Sequence, residues 1–138
     1  MSNNIEIWKP VVGYEGLYEV SSFGRVRSLR RTRKGKCESE CGVKERLLKQ
    51  SKHTKGYLVC GLSKDGKLKY FKVHRLVAVA FIPNHDNKPE IDHINTDKTD
   101  NRVENLRWVT PKENTNNPLT RVKYLSKLKY RNKKRIAI

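Results

Sequence analysis

The sequence predicts an α+β protein: small antiparallel sheet regions in the N-terminal part, then a buried helix, a strand–loop–strand–helix unit and a basic C-terminal helix or tail. Three observations carry this. Before residue 30, β-type runs are punctuated by glycine turns. Over residues 74–81, apolar residues recur at helical spacing until Pro83 stops them. From Ile91, an apolar run ends in Asp92-His93, a polar loop follows, and Leu106–Val109 leads into a helix-start signal at Thr110. At 138 residues, 36% of them hydrophobic, the chain suits one domain or a compact domain with an appendage.

Residues 5–29 read as short strands: Trp8 and Val11-Val12, then Tyr18-Glu19-Val20, then Arg25-Val26-Arg27-Ser28-Leu29, with Gly13, Gly16 and Gly24 in the turns. Alternation puts Val26 and Ser28 on one face and Arg25 and Arg27 on the other, which suits a sheet laid on a phosphate backbone as well as a solvated face. Residues 30–46 carry mixed charge with Gly35 and Gly42 and read as a mobile loop. Residues 46–51 read as a short strand ending at Ser51. Tyr57–Leu62 and Lys69–Val73 flank Asp65-Gly66, a hairpin signal. His74–Phe81 follows as a buried helix on Leu76, Val77, Ala80 and Phe81, and residues 84–90 as a polar turn. In Thr110-Pro111-Lys112-Glu113, Thr is placed as N-cap, Pro at the first helical position and Glu at the capping-box position. From Arg121 to Ile138 there are eight Lys+Arg and no acid, with Val122, Leu125 and Leu128 at partial helical spacing, so a helix fraying into a basic tail is expected.

The formal charge is +17, from 31 Lys+Arg against 14 Asp+Glu. Such a field attracts polyanions, and on charge alone a nonspecific ribosomal-type binder and a specific reader or enzyme fit equally. No apolar run approaches the roughly 20 residues of a membrane span, and nothing favours a lipid surface over nucleic acid. Three cysteines, Cys37, Cys41 and Cys60, with no signal peptide, argue for a reducing compartment. Their spacing, with His53, fits no common zinc pattern, so structural zinc is not expected.

The chemistry concentrates in Ile91-Asp92-His93-Ile94-Asn95. A carboxylate at a strand end can hold a hard cation, and an imidazole beside it can take a proton from water. An isolated Asp-His pair is usually a turn feature; here a polar loop over Asn95–Val103, an amide at Asn105 able to tie it down, and Asn114 in the first turn of the following helix can converge on it. His74 opens a buried helix and reads as structural or phosphate-touching. His53 and His85 sit in polar loops and read as solvated.

The segment Ile91–Asn114 resembles the catalytic motif of HNH homing endonucleases, whose core is a ββα-metal (His-Me finger) fold. Asp92-His93, Asp100-Asn101, Glu104-Asn105-Leu106-Arg107-Trp108-Val109-Thr110 and Asn114 are similar to the phage-encoded members, as is Val73-His74-Arg75-Leu76-Val77-Ala78. Residues 6–29, from Glu6-Ile7-Trp8-Lys9-Pro10 to Arg27-Ser28-Leu29, resemble the NUMOD4-type DNA-binding motif often fused to that nuclease. The resemblance implies a DNA-binding β motif and basic loop over 1–50, a hairpin, helix and nuclease core over 51–118, and a basic helix or tail over 119–138.

It also implies roles. Asp92 would be the carboxylate ligand of one divalent cation and His93 the general base. Asn105 would brace the loop and orient the histidine. Asn114 would be the second ligand, where many relatives have histidine. An amide oxygen is a hard ligand, which favours Mg²⁺ or Mn²⁺ over zinc. Arg25, Arg27, Arg30, Arg31, Arg33, Arg107, Lys123 and Lys127 are the candidate DNA contacts. Some relatives carry a further helix-turn-helix module, for which this chain ends too soon. The expected partner is double-stranded DNA, met by a monomer or transient dimer, in the cytoplasm of a bacterial host. The expected reaction is nicking or double-strand cutting to a 5′ phosphate and a 3′ hydroxyl. A catalytically silent DNA-binding regulator derived from such a nuclease is the alternative. A ribosome-associated basic protein explains the charge but not the grouped acid, imidazole and amides.

Overall fold

A computed structural model describes residues 5–34 and 40–136, with side chains for 5–32 and 42–128. The N-terminal strands β1 (Trp8–Pro10), β2 (Tyr18–Ser21) and β3 (Val26–Ser28) form an antiparallel sheet. In β3, Val26 and Ser28 are buried while Arg27 is half-exposed, as alternation predicts. The charged stretch after it is not a loop. Arg31–Lys34 (β4) and Glu40–Val43 (β5) pair as an antiparallel ribbon, Arg31 opposite Val43 and Lys34 opposite Glu40. The two strands carry mostly charged and small residues with no apolar alternation, so their sequence has no period-2 signature. Gly35 and Cys37 lie outside the described residues. β6 (Arg46–Leu47) closes the first sheet against β3, and β7 (Ser51–Lys52) opens the second, so the single strand expected over 46–51 is two.

β8 (Leu58–Lys64) and β9 (Lys67–Lys72) form the expected hairpin, with β7 alongside β8. Asp65 and Gly66 both have positive φ, 51° and 74°, the backbone of a two-residue turn matched to strand twist. The chain passes directly into α1 (Val73–Phe81), which buries Val73, His74, Val77 and Ala78. The unit that follows is β10 (Glu90–His93), a loop, β11 (Leu106–Val109) antiparallel to it, and α2 (Pro111–Thr115). Thr110 caps α2 with the full reciprocal box: its hydroxyl accepts from Glu113 N, and Glu113 accepts from Thr110 N. α3 (Pro118–Ile136) is the basic helix, beginning three residues before the Arg121 at which sequence spacing places it. None of the described helices is long and apolar enough to cross a membrane.

One core joins these parts. Val11, Tyr18, Val20 and Val26 from the first sheet pack with Cys60 and Leu62 of β8, Val73, Val77 and Ala78 of α1, and Ile91 and Leu106 of the last unit. Each fully buried Val or Leu contributes about 1.5–3 kcal/mol. Tyr18 reinforces the junction: its hydroxyl accepts from Ser63 N at 3.0 Å. Burial pushes the Cys60 thiol up to about 11, so it stays protonated and inert. With Cys60 in the core and His53 exposed, those two do not share a metal site.

The β2–β3 turn touches the loop between β10 and β11. Ser21 Oγ accepts from Phe23 N and Arg25 N, and Gly24 closes the turn at φ +84°. A Cβ on Gly24 would lie 2.8 Å from Asn101 Cβ and 3.0 Å from Asn101 O. Beside it, Val103 N donates to Ser22 O at 3.0 Å. Gly24→Ala combines left-handed strain of about 1–2 kcal/mol with overpacking of about 1–3 kcal/mol. We expect a clear fall in thermal midpoint by calorimetry; an unchanged midpoint would show that this contact is slack.

Candidate active site

β10 and β11 pair with Asp92 opposite Arg107 and His93 opposite Leu106. Between them, residues 94–105 form a tight loop. Asn105 is its clasp: Oδ1 accepts from Asn95 N (3.0 Å), and Nδ2 donates to Asn95 Oδ1 (2.9 Å) and Asp100 O (2.8 Å). Asn95 Oδ1 and Asp97 Oδ1 accept from the backbone two residues on, and Arg102 grips Asp100 through Nε and Nη2. The Thr99 hydroxyl and amide hold Asp97, and Arg102 holds Asp100, below the usual carboxylate range. Thr96, a β-branched residue at φ +64°, is strained, and it faces the cleft described next.

That cleft has a volume of about 470 Å³ and is lined by Asp92, His93, Asn114, Tyr57, Thr96 and Lys98 on one side and by Lys123, Tyr124 and Lys127 of α3 on the other. Three of the four residues expected to form a site therefore meet on one cavity. Asn105 does not line it and works from behind.

Each side chain is anchored. Asp92, 5% exposed, receives three donors on Oδ2: Arg107 Nε (3.0 Å), Arg107 Nη2 (2.8 Å) and Asn117 Nδ2 (2.8 Å). Among the described residues no donor reaches Oδ1. Asn114 Nδ2 donates to Glu90 Oε2 at 2.8 Å. Only the amide nitrogen can donate to a carboxylate, so this bond fixes which end of Asn114 is oxygen and leaves Oδ1 without a protein partner among the described residues. Asp92 and Asn114 thus offer hard oxygens with their other atoms tied down, the donor chemistry that suits Mg²⁺ or Mn²⁺ with several waters retained. No group of three or more His, Cys, Asp or Glu side chains gathers among the described residues, so a soft zinc-type set is not what the cleft presents.

His93 is buried, with Nε2 2.8 Å from Asn101 Oδ1. Its imidazole partner is therefore Asn101, where the resemblance assigns orientation to Asn105; the Asn105 side chain makes no bond to His93. The His74 ring packs edge-on to it at 5.0 Å between centroids, and Tyr57 lies against both. Burial, then the charge of His93, Lys72 and Arg75, pulls His74 down to about 3, so it stays neutral and serves as a packing wall. His53 and His85 are exposed.

Several candidate DNA contacts already have partners within the protein, Arg25 and Arg107 while remaining exposed. Arg25 pairs with Glu6, and Arg27 with Glu19 (2.7 Å) and Glu45 (3.3 Å), its guanidinium 4.1 Å over the Trp8 ring. Arg31 donates to Leu17 O and to Tyr18 Oη and stacks on that ring. Arg107 is committed to Asp92. Neighbouring acids, rings and carbonyls already engage all four of these guanidinium groups. Arg30 is exposed, and the Arg33 side chain lies outside the described residues. Lys123 and Lys127 line the cleft, and Lys123 also donates to Thr96 Oγ1. Sequence reasoning missed Glu90, Asn101, Asn117 and Lys98. Of these only Asn101, beside Asp100 in the quoted motif, carried any signal.

Comparison with known proteins gives the family. A NUMOD4 motif matches residues 6–63 and an HNH endonuclease model residues 71–116. DNA endonuclease I-HmuI of Bacillus phage SP01 is 40% identical over 114 residues, covering 83% of this chain and 58% of that one. The uncharacterized HNH endonuclease L247 of Acanthamoeba polyphaga mimivirus is 40% identical over 118 residues, covering 83% of this chain and 26% of that one. The chain thus spans little more than half, or less, of these relatives' lengths. A solved structure described as DNA binding and cleavage by the HNH homing endonuclease I-HmuI superposes with a TM-score of 0.66 at 37% identity, covering 91% of this chain and 68% of that chain. With the two family segments in this order, and the same mixed fold carrying them, the chain belongs to the HNH endonuclease family with an N-terminal NUMOD4 motif.

Proposed function

We propose that the protein is a divalent-metal-dependent DNA endonuclease that hydrolyses phosphodiesters, with His93 as general base and Asp92 and Asn114 as the residues that hold the cation. The observation that carries this is the shared cleft: a carboxylate, an imidazole and an oriented amide on one wall, with Lys98, Lys123 and Lys127 around them. With Nε2 engaged by Asn101, His93 has Nδ1 to take a proton from the attacking water. The lysines bind the phosphates flanking the scissile one, and the buried Asp92 keeps its place through Arg107 and Asn117. Bound at Asp92 and Asn114, Mg²⁺ or Mn²⁺ would supply Lewis acidity at the phosphoryl oxygens and at the departing 3′ oxygen. Attack by water at phosphorus with loss of the 3′ oxygen leaves a 5′ phosphate and a 3′ hydroxyl. One such centre per chain nicks one strand, and cutting both takes a dimer or a second event. The place of action we infer is the host cytoplasm, where double-stranded DNA is available to a phage-type enzyme.

His93→Ala should lower nicking of supercoiled plasmid by roughly 10²–10⁴-fold while DNA affinity is kept; the parental rate in that variant would remove His93 from the chemistry. A wild-type chain that binds DNA but is as inert with Mn²⁺ as with EDTA would instead be a silent binder.

Glu90→Ala should free the Asn114 amide and weaken Mn²⁺ binding by about 10–100-fold, read from free Mn²⁺ by electron paramagnetic resonance without DNA. Unchanged affinity in both Glu90→Ala and Asn114→Ala would take Asn114 out of the metal site.

DNA affinity should fall with salt at a slope of about −0.9 per neutralised phosphate in a log–log plot. Lys127→Ala should reduce that slope by about 1. A flat salt response would overturn the placement of the backbone along this cleft.

A further inference from the structure

We propose that Asn101 is the positioning residue that sets the tautomer and orientation of His93, and that the β2–β3 turn of the NUMOD4 segment holds Asn101 in place. This rests on the reading of His93 as general base. Four observations support it.

The first is the bond itself. Asn101 Oδ1 lies 2.8 Å from His93 Nε2, between two buried side chains, Asn101 being 3% exposed. An amide oxygen there requires the proton on Nε2 and leaves a lone pair on Nδ1, the condition for accepting a proton from water. The opposite amide orientation would require the proton on Nδ1 and abolish the base.

The second is a cost accepted at the same residue. Asn101 Nδ2 is buried and has no hydrogen-bond partner among the described residues. Buried polar atoms are rarely left unpaired, and an apolar side chain would fill the space without that penalty. An amide retained under these terms is retained for its oxygen.

The third is that the obvious rival is occupied. All polar atoms of the Asn105 side chain are spent on Asn95 and Asp100. Its bond to Asp100 O instead anchors the residue before Asn101. The His74 ring packs edge-on against the imidazole, 5.0 Å between centroids, which restricts its rotation.

The fourth is the support behind Asn101. Gly24 sits against its Cβ and carbonyl with no room for a side chain, and two residues on Val103 N donates to Ser22 O. Ser22 and Gly24 belong to the NUMOD4 segment, residues 6–63, and His93 to the HNH segment, residues 71–116. The contact runs from the turn through Asn101 to the imidazole, so the N-terminal motif serves as a structural part of the nuclease centre.

The test uses the full chain. ¹⁵N NMR of the imidazoles in the wild type should show neutral His93 with its proton on Nε2; the Nδ1–H tautomer would overturn the proposal without any variant. Asn101→Ala should lower single-turnover cleavage by roughly 10–100-fold, the range for lost outer-sphere partners, leave DNA affinity unchanged, and mix the His93 tautomers. Asn101→Asp, which keeps an acceptor, should restore most of the rate and the Nε2–H signal. Gly24→Ala should mix the tautomers in the same way at a temperature where it is folded. If Asn101→Ala cleaves at the parental rate with its tautomer intact while His93→Ala is dead, Asn101 is not the positioning residue and the base assignment stands. If His93→Ala cleaves normally, the base assignment falls, and with it the catalytic meaning of the Asn101 contact.

Discussion

The Asp92 carboxylate is where the last three elements are tied together. It sits in β10, is gripped across the strand pair by Arg107 of β11, and receives Asn117 from the connection into α3. Asn117 also accepts from Leu119 N, so the same residue that holds Asp92 caps the basic helix. Without the β10–β11 register, Arg107 would not face Asp92, and α3 would lose the link that keeps Lys123 and Lys127 on the far wall of the cleft. A buried carboxylate with no such donors would be costly to keep charged. Here Oδ2 carries all three donors and Oδ1 is spared for the cleft. The division of labour between two atoms of one side chain lets a structural ion pair and a ligand position coexist.

A second division separates the two segments of the chain, and it is less complete than the family boundaries suggest. Val20 and Val26 of the first sheet share a core with Leu62, Val77 and Ile91, and Tyr18 bonds to Ser63. Loss of the N-terminal sheet would expose the apolar face of α1. The β2–β3 turn reaches further still, to the loop that carries Asn101. Gly24 is the residue that allows this approach, because its conformation is left-handed and its side-chain space is already taken by Asn101.

Much of this was legible locally. The Asp65-Gly66 hairpin, the helix over 73–81 and the Thr110 capping box depend on residues within a few positions of one another, and the sequence carries those signals in full. The β4–β5 ribbon was not legible, since strands of charged and small residues without apolar alternation look like a loop. In the site, Asp92, His93 and Asn114 were readable by type and order. Their supports were not: Glu90 and Asn114 are 24 residues apart and Asn117 and Asp92 are 25 apart, and their pairing exists only after the strands have docked. What Arg107 meets is decided by register, which sets Asp92 opposite it. The acids and rings that engage Arg25, Arg27 and Arg31 lie elsewhere in the sequence, so those pairings were not readable either.

Those arginines bear on how the charge of +17 is used. On the first sheet, Arg25 and Arg27 form a lattice with Glu6, Glu19 and Glu45 around Trp8. Exposed pairs of this kind contribute little net stability and are screened by salt. Exchanging Glu6 for a phosphate would therefore cost Arg25 little, and Trp8 would keep the guanidinium groups in place during the exchange. At the cleft the situation differs. Lys98 is held over Tyr57 by its contact with Lys55 O, and Lys123 by Thr96, and among the described residues neither is paired with a carboxylate. An unneutralised cation at a concave surface focuses the field more than a paired one on an open sheet. The sheet thus presents a preorganised but switchable face, and the cleft a standing attraction for phosphate.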